Sequence, residues 1–251
     1  FAEARGEAKI DLRGATDADI DMMRRHYYAK ITTVDEMVGN VMTALEQKGW
    51  LDNSLIIFCS DHGEMLGDHG LAYKWLMYDS ITHIPLIIRH PNSVEQPDTS
   101  DDLVSLMDLG PTILQAAGIE TPTYLEGRSL LPYLDTQEIV PREFVVCEDN
   151  YQIMMRTATH KLVYYPGQEE GEFYDLQVDA DELWNRWDDA AFAEAKNQLL
   201  LRMLEWMVTS NYYNAGYKRT RQRQYEMRWP TSHNRRLHGP NSSSPKGVDY
   251  L

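Results

Sequence analysis

The sequence has only two cysteines, no long apolar segment and a deficit of positive charge. Cys59 and Cys147 lie far apart among the 251 residues. A small scaffold built on disulfides is therefore excluded, and we expect both side chains to be free, packed thiols. No apolar run approaches the roughly 18 residues that a membrane-spanning helix needs, so we expect no membrane span.

Lys and Arg number 24 against 39 Asp and Glu, and the formal net charge is −15. Such a balance disfavours a general nucleic-acid-binding protein. The charge is uneven, because residues 210–251 carry a net +6 and residues 1–209 a net −21. A basic segment on an acidic body is more typical of docking on its own subunit or on a neighbour. We therefore predict a basic tail over 210–251, either an extended arm or partly disordered, that packs across a subunit boundary in a homo-oligomer or rims a binding cleft.

Hydrophobic patterning predicts an α/β architecture in the first half of the chain. Apolar residues recur every three or four positions from Ile20 to Leu45, after a capping-box-like start at Thr16, and Gly49 follows the last of them. This pattern predicts a long amphipathic helix. The apolar runs 54–59 and 84–89 predict short strands that are buried on both faces. Helix, turn and strand in this order indicate part of a doubly wound mixed sheet flanked by helices.

The second half of the chain has a different pattern. A helix is predicted over 108–117, with Asp108 as its N-cap. Beyond residue 140, short alternating segments predict a small antiparallel sheet, and an amphipathic helix follows at about 190–208. We predict an α/β part over 1–140 and an α+β subdomain over 141–209, followed by the tail. The four expected strands cover residues 144–148, 152–157, 161–165 and 172–175.

The loop between the two apolar runs carries the residues with the clearest chemical potential. Asp61 and His62 come directly after the end of the first predicted strand, where ligands bind in open α/β sheets. Carboxylate and imidazole groups ligate divalent cations, and the ammonium of Lys74 suits an anionic ester. Together they would stabilise a tetrahedral anion. Each also has a simpler interpretation, since Asp-His-Gly is a common tripeptide and a loop histidine such as His69 is often satisfied by backbone groups.

The wider sequence around this loop resembles the C-terminal half of the sulfatase family, within the alkaline-phosphatase-like superfamily. The loop SDHGEMLGDHGLAYK and the following PLIIRHP carry the most specific part of the resemblance. The preceding helix and strand and three later segments extend it over roughly residues 20–209. Those later segments are SLMDLGPTILQAAGI, EGRSLLPYL and HKLVYYPGQEEGEFYDLQVDADELWN.

The resemblance implies specific roles for four residues. Asp61 and His62 match the pair that ligates the divalent cation of the family, for which calcium is expected. Many members have Asn where His62 stands. Magnesium and manganese therefore remain alternatives, and so does a contact of His62 with the ester oxygen in place of the metal. Lys74 matches a lysine that binds the sulfate and leaving-group region and contributes to catalysis. His69, on the same loop, is assigned to substrate binding.

The chain lacks other parts of the family's catalytic site. Sulfatases use a formylglycine made from a C/S-x-P-x-R motif, and the sequence around neither Cys59 nor Cys147 fits that motif. The resemblance therefore implies the C-terminal half of a longer or split protein, with the formylglycine on a missing N-terminal half. We expect a sulfuric ester hydrolase for a sulfate monoester, with a sulfated sugar as one candidate, and an inactive isolated fragment. The alternatives are a phosphonate monoester hydrolase or phosphodiesterase, and a non-catalytic binding or assembly module.

Overall fold

The computed structural model of the protein describes residues 10–91, 99–134, 141–149 and 151–214. Residues 210–214 of the predicted tail are helical. The rest of the tail lies outside the described residues, so its form and its role in an oligomer stay predictions. The helices are α1 Asp17–Gln47, α2 Asp79–Thr82, α3 Leu109–Ala116, α4 Leu131–Leu134 and α5 Ala193–Asn214. The strands are β1 Ile10–Asp11, β2 Ile56–Cys59, β3 Leu71–Ala72, β4 Leu86–Arg89, β5 Val145–Asp149, β6 Gln152–Arg156, β7 His160–Tyr164 and β8 Gly171–Asp175.

The long helix α1 begins and ends where local sequence signals predict. The Thr16 hydroxyl accepts from the Asp19 N–H, and the Asp19 carboxylate accepts from the Thr16 N–H, which completes a capping box. Gly49, just beyond the helix, adopts a φ of 66°. No residue of α1 is buried in the described part of the chain. Its largest exposed apolar side chains are Met22, Tyr28, Ile31, Val34, Met37 and Val41.

Strands β2 and β4 pair antiparallel, with Phe58 opposite Ile87. The prediction that both faces of these strands are buried is wrong for the described structure, because every residue of β2 is only half-buried and Ile87 is 64% exposed. The reason is architectural. A two-stranded sheet with few elements layered on it cannot exclude water from both of its faces.

The C-terminal part is a four-stranded antiparallel meander in the order β5-β6-β7-β8, as predicted. Alternate residues of its strands face opposite sides. Met155, Leu162 and Phe173 pack on one face against α5. Met154 and Val163, on the other face, pack against Met77 from the segment between Lys74 and α2. The described elements thus form a mixed α/β fold with small antiparallel sheets, in agreement with the predicted fold class.

Asp108 stands at the predicted N-cap position of α3, but its side chain has a different role. Its carboxylate makes no helix-capping bond to α3. It is fully buried and accepts from both terminal nitrogens of Arg142, at 2.6 and 2.7 Å, and from the Arg128 N–H at 2.7 Å. The capping residue is Ser105, at the start of the preceding 3-10 turn. Asp108 therefore ties distant segments together, which a local helix signal does not reveal.

Three smaller expectations have clear outcomes. Both cysteines are free, but Cys147 is exposed, so the expectation of two packed thiols is wrong for that residue. Helix α5 continues to Asn214, beyond its predicted end at 208. Within the described ranges, none of the helices combines the length and apolarity needed to cross a membrane.

Candidate active site

The loop that leaves β2 turns sharply and runs back against α2. The N–H groups of Gly63 and Glu64 donate to the carbonyl oxygens of Ile81 and Ser80, at 2.7 and 3.1 Å. A Cβ atom at Gly63 would lie only 1.9 Å from the Ser80 oxygen. Glycine is therefore required here because of this close backbone approach, and it fixes the direction in which His62 leaves the strand.

Replacing Gly63 with alanine is expected to destabilise the protein by about 1–3 kcal/mol, because a backbone atom must move to admit the new methyl group. The urea midpoint measures the effect. Gly14→Ala is the matched control, since no atom lies within 4 Å of a Cβ built there. An unchanged midpoint for Gly63→Ala would contradict the close approach.

The structure brings Asp61, His62 and Lys74 together. Nδ1 of His62 lies 2.7 Å from the Gly63 carbonyl oxygen, which only an N–H on Nδ1 can satisfy. The neutral ring then presents its lone pair on Nε2. That nitrogen lies 2.7 Å from Nζ of Lys74 and 3.4 Å from Oδ2 of Asp61. The three predicted side chains therefore converge on one point at the end of β2, and their chemical roles stay predictions.

The Asp61 carboxylate is an exposed negative charge at this point. The backbone N–H of His62 donates to its Oδ1 at 3.0 Å and holds the pKa of Asp61 below its ordinary value. The side chain is 84% exposed. Asp61 is thus ionised at neutral pH, and its second oxygen is available to a ligand.

Asp61 and His62 fit part of a divalent-cation site. A metal-binding histidine usually donates its other ring N–H to a carbonyl or carboxylate, as His62 does to Gly63. An imidazole nitrogen and a carboxylate oxygen are both suitable donors. Across the described ranges, no group of three or more His, Cys, Asp or Glu side chains could hold a metal ion. The pair would therefore supply only a partial ligand set in that part of the chain.

The backbone on either side of Lys74 is strained. Tyr73 and Trp75 adopt φ values of 80° and 76°, in the left-handed region that bulky residues rarely occupy. Such a conformation costs about 1–3 kcal/mol per residue and persists only where neighbours enforce it. The Glu64 carboxylate accepts from the Tyr73 N–H, and the Gln152 side-chain amide donates to the Trp75 carbonyl at 3.1 Å. Lys74 is thus held between two fixed backbone positions.

A buried charge cluster anchors the segment that follows Lys74. Nζ of the fully buried Lys161 lies 2.5 Å from Oδ1 of Asp79, 2.5 Å from Oε1 of Glu182 and 3.0 Å from the Met77 carbonyl oxygen. Arg156 adds a second cation 3.4 Å from Asp79, and the Asp79 N–H donates to Glu182 at 2.6 Å. The cluster therefore joins the C-terminal sheet to the segment that follows Lys74.

The two acids of this cluster respond differently to burial. Burial raises the pKa of Asp79, but the charges of Lys161 and Arg156 outweigh that effect and leave the pKa below its ordinary value. Burial also raises the pKa of Glu182, and there Lys161 only partly offsets it, so that pKa stays above its ordinary value. Asp79 is therefore the more strongly ionised partner of Lys161.

His69 lies on the same loop but packs against aromatic side chains. Its ring stacks on Tyr78, with centroids 3.9 Å apart, and Tyr78 in turn contacts Tyr174 of β8. These contacts join the loop to the C-terminal sheet. The predicted role of His69 in substrate binding stays a prediction.

Several residues that shape the site were not identified from the sequence. Arg24 of α1 donates to the Leu66 carbonyl at 2.8 Å and pairs with Asp68 at 3.0 Å. The sequence around Gln152 does not indicate its contact with Trp75. The sequence around Lys161 does indicate a buried partner, because a lysine beside the apolar run of a predicted strand requires one.

Comparison with known proteins identifies the family. Residues 3–119 match the family described as Sulfatase, and residues 67–209 match that described as N-sulphoglucosamine sulphohydrolase, C-terminal. The chain therefore belongs to the sulfatase family, as its sequence resemblance indicated.

Individual relatives agree with this assignment. The chain is 34% identical to an N-acetylglucosamine-6-O-sulfatase of Bacteroides thetaiotaomicron over 196 residues, which cover 72% of this chain and 35% of the relative. It is 35% identical to arylsulfatase K of Bos taurus over 185 residues, which cover 68% of this chain and 34% of the relative. The solved phosphonate monoester hydrolase of Silicibacter pomeroyi superposes with a TM-score of 0.72 at 29% identity, covering 78% of this chain and 42% of that one. The chain thus spans about a third of the curated relatives' length.

Proposed function

We propose that this chain is the C-terminal part of a sulfuric ester hydrolase. The observation that carries the proposal is the convergence of the Lys74 ammonium and Nε2 of His62, 2.7 Å apart, beside the exposed carboxylate of Asp61. The ammonium of Lys74 and a partial metal site, both at the end of β2, are suited to a dianionic or monoanionic ester head group. Membership of the sulfatase family makes a sulfate ester the preferred substrate.

In this proposal Lys74 acts on the reacting group. Its ammonium donates to a sulfate oxygen and compensates the negative charge that builds up as the ester bond breaks. The strained backbone at Tyr73 and Trp75 holds it in place, so little reorganisation is needed during the reaction. The formylglycine expected on the missing half would supply the nucleophile. His69 would contribute to substrate binding from the far side of the loop.

Asp61 and His62 would hold one divalent cation. Sulfatase family members typically bind such an ion, which supplies Lewis-acid stabilisation to the sulfate oxygens. Calcium is the expected ion, and the imidazole nitrogen keeps magnesium and manganese as alternatives. His62 would supply the lone pair of its Nε2 to the ion, and Lys74 would supply its ammonium to the sulfate.

The remaining ligands and the nucleophile are proposed to come from an N-terminal half of the complete protein. Two observations support this: the chain spans about a third of its curated relatives, and the apolar side chains of α1 are exposed along its length. The apolar stripe of an amphipathic helix is normally packed against another element. Residues 1–140 would then complete the catalytic α/β domain, and residues 141–209 would form its C-terminal subdomain.

The substrate is proposed to be a sulfated sugar or an aryl sulfate, the classes that the relatives' names describe. The second candidate is a phosphonate monoester hydrolase, which the similarity to the Silicibacter pomeroyi enzyme favours. A complete protein is expected to have a higher kcat/KM for 4-nitrophenyl sulfate than for 4-nitrophenyl phenylphosphonate. The reverse order would favour the second candidate.

The purified 251-residue chain provides the companion measurement. Without the nucleophile it is expected to show no turnover of either ester, while the complete protein turns over at least one. Turnover by the isolated chain would contradict the proposed missing half. If the complete protein is inactive on both esters, the chain is better explained as a non-catalytic binding or assembly module.

A further inference from the structure

We propose that Tyr73 and Trp75 form a platform for the ring of the alcohol leaving group, and so make the site selective for esters of ring-bearing alcohols. This inference rests on the proposed function, because it takes Lys74 as the residue that contacts the ester. It adds two specificity-determining residues to that function, neither of which carries a charge.

Both aromatic rings are exposed beside the ammonium. Tyr73 is 41% and Trp75 48% exposed, although each belongs to a loop whose own core residues Met65 and Leu76 are buried. Nζ of Lys74 lies 5.9 Å from the Tyr73 ring centroid and 5.5 Å from that of Trp75. Two large apolar side chains are thus open to solvent at the point where the ester is proposed to bind.

The backbone fixes these rings in position. Tyr73 and Trp75 both occupy the left-handed region, which a glycine would adopt without strain. Strain of this kind gathers at ligand clamps, where a side chain must be presented in one direction. Hydrogen bonds to Tyr73 N–H and to the Trp75 carbonyl, from Glu64 and Gln152, hold the backbone on both sides of Lys74. The rings therefore have a defined place relative to the ammonium.

The chemistry of the ester sets what these rings contact. The bridging oxygen of a sulfate monoester is bonded directly to the alcohol, so an ammonium at the sulfate lies a few ångströms from the leaving group. Aromatic faces pack against other aromatic rings and against the C–H faces of pyranose rings. An acyclic alkyl sulfate of one carbon offers no such surface. The platform thus favours aryl and sugar sulfates over methyl sulfate.

A different interpretation is that the rings only hold the ammonium through cation–π contacts. The two interpretations predict different kinetics. A residue that only holds Lys74 would affect every ligand of that ammonium, including inorganic sulfate. A platform would affect only ligands that carry a ring.

The test uses the complete protein with three substitutions. Trp75→Ala is expected to lower kcat/KM for 4-nitrophenyl sulfate and N-acetylglucosamine 6-sulfate by about 10-fold, the scale of one lost ring contact. The inhibition constant of inorganic sulfate and the kcat/KM for methyl sulfate are expected to stay within about twofold. Trp75→Phe restores most of the loss, and Tyr73→Ala behaves like Trp75→Ala.

Trp50→Ala is the matched control. Trp50 is 58% exposed and has Lys48 over its ring at 5.2 Å, but it lies before β2, at the end of that strand opposite to Asp61. This variant is expected to leave all four constants unchanged. A parallel loss for sulfate, methyl sulfate and ring-bearing esters in Trp75→Ala would overturn the platform, as would unchanged kinetics with every ester. If Lys74→Ala keeps full turnover, the proposed function itself fails, whatever the Trp75 variants do.

Discussion

Lys74→Ala in the complete protein is expected to lower kcat/KM for an aryl sulfate by at least about 10²-fold, the scale for losing one preorganised electrostatic stabiliser. Lys74 provides the ammonium that lies 2.7 Å from His62 Nε2, between two residues whose backbone is fixed. Alanine removes that charge but keeps the backbone. The loss is therefore expected in kcat as well as in kcat/KM, because the charge acts mainly on the transition state.

Asp61→Ala is the companion variant and is expected to lose activity on the same scale. It removes the ionised carboxylate that would hold the cation, so added calcium, magnesium or manganese should restore activity only at raised concentrations. Lys48→Ala is the control, because Lys48 is an exposed lysine that lies outside the site. Near-wild-type turnover in both Lys74→Ala and Asp61→Ala would overturn the assignment of the site.

Lys161→Met is expected to destabilise the complete protein by about 3–5 kcal/mol, the usual cost of removing one partner from a buried ion pair. Lys161 is fully buried and provides the ammonium between Asp79 and Glu182, each 2.5 Å away. Methionine fills a similar volume without the charge, so two acidic groups lose their main counterion. Arg156, at 3.4 Å from Asp79, compensates only part of the loss.

A multiple variant separates charge from packing at this cluster. Adding Asp79→Asn and Glu182→Gln to Lys161→Met removes the uncompensated charges, so the triple variant is expected to regain part of the lost stability. Urea unfolding monitored by fluorescence gives the free energies, and Lys48→Met is the exposed control. A loss below about 1 kcal/mol in Lys161→Met would show that the buried cluster contributes little to stability.

Local patterns predicted the regular elements well. The Thr16 capping box and the apolar period define α1, and the alternating segments after residue 140 define the four strands of the meander. These signals act between residues a few positions apart, so they are readable without knowledge of the fold. The pairing of Asp61 with His62 and the presence of Lys74 on the same loop were likewise readable, because all three lie within 14 residues.

Burial and long-range polar contacts could not be predicted from such local patterns. The sequence predicted fully buried β2 and β4 strands, yet their exposure depends on which layers cover the sheet. Arg24 and Asp68 are 44 positions apart, and Lys161 and the Met77 carbonyl are 84 apart. Such contacts depend on how separate elements pack, and no short window of sequence contains both partners.

By itself the sequence determined helices α1, α3 and α5, the four strands of the C-terminal sheet and the family to which the chain belongs. Only the tertiary structure decided that Nε2 of His62 faces Lys74 and that Lys161 anchors the following segment to the C-terminal sheet. It also decided that the Asp108 carboxylate pairs with Arg142 and makes no capping bond to α3. The physical reason is that hydrogen bonds and hydrophobic periods of single elements are local, whereas the orientation and burial of polar side chains depend on packing between elements.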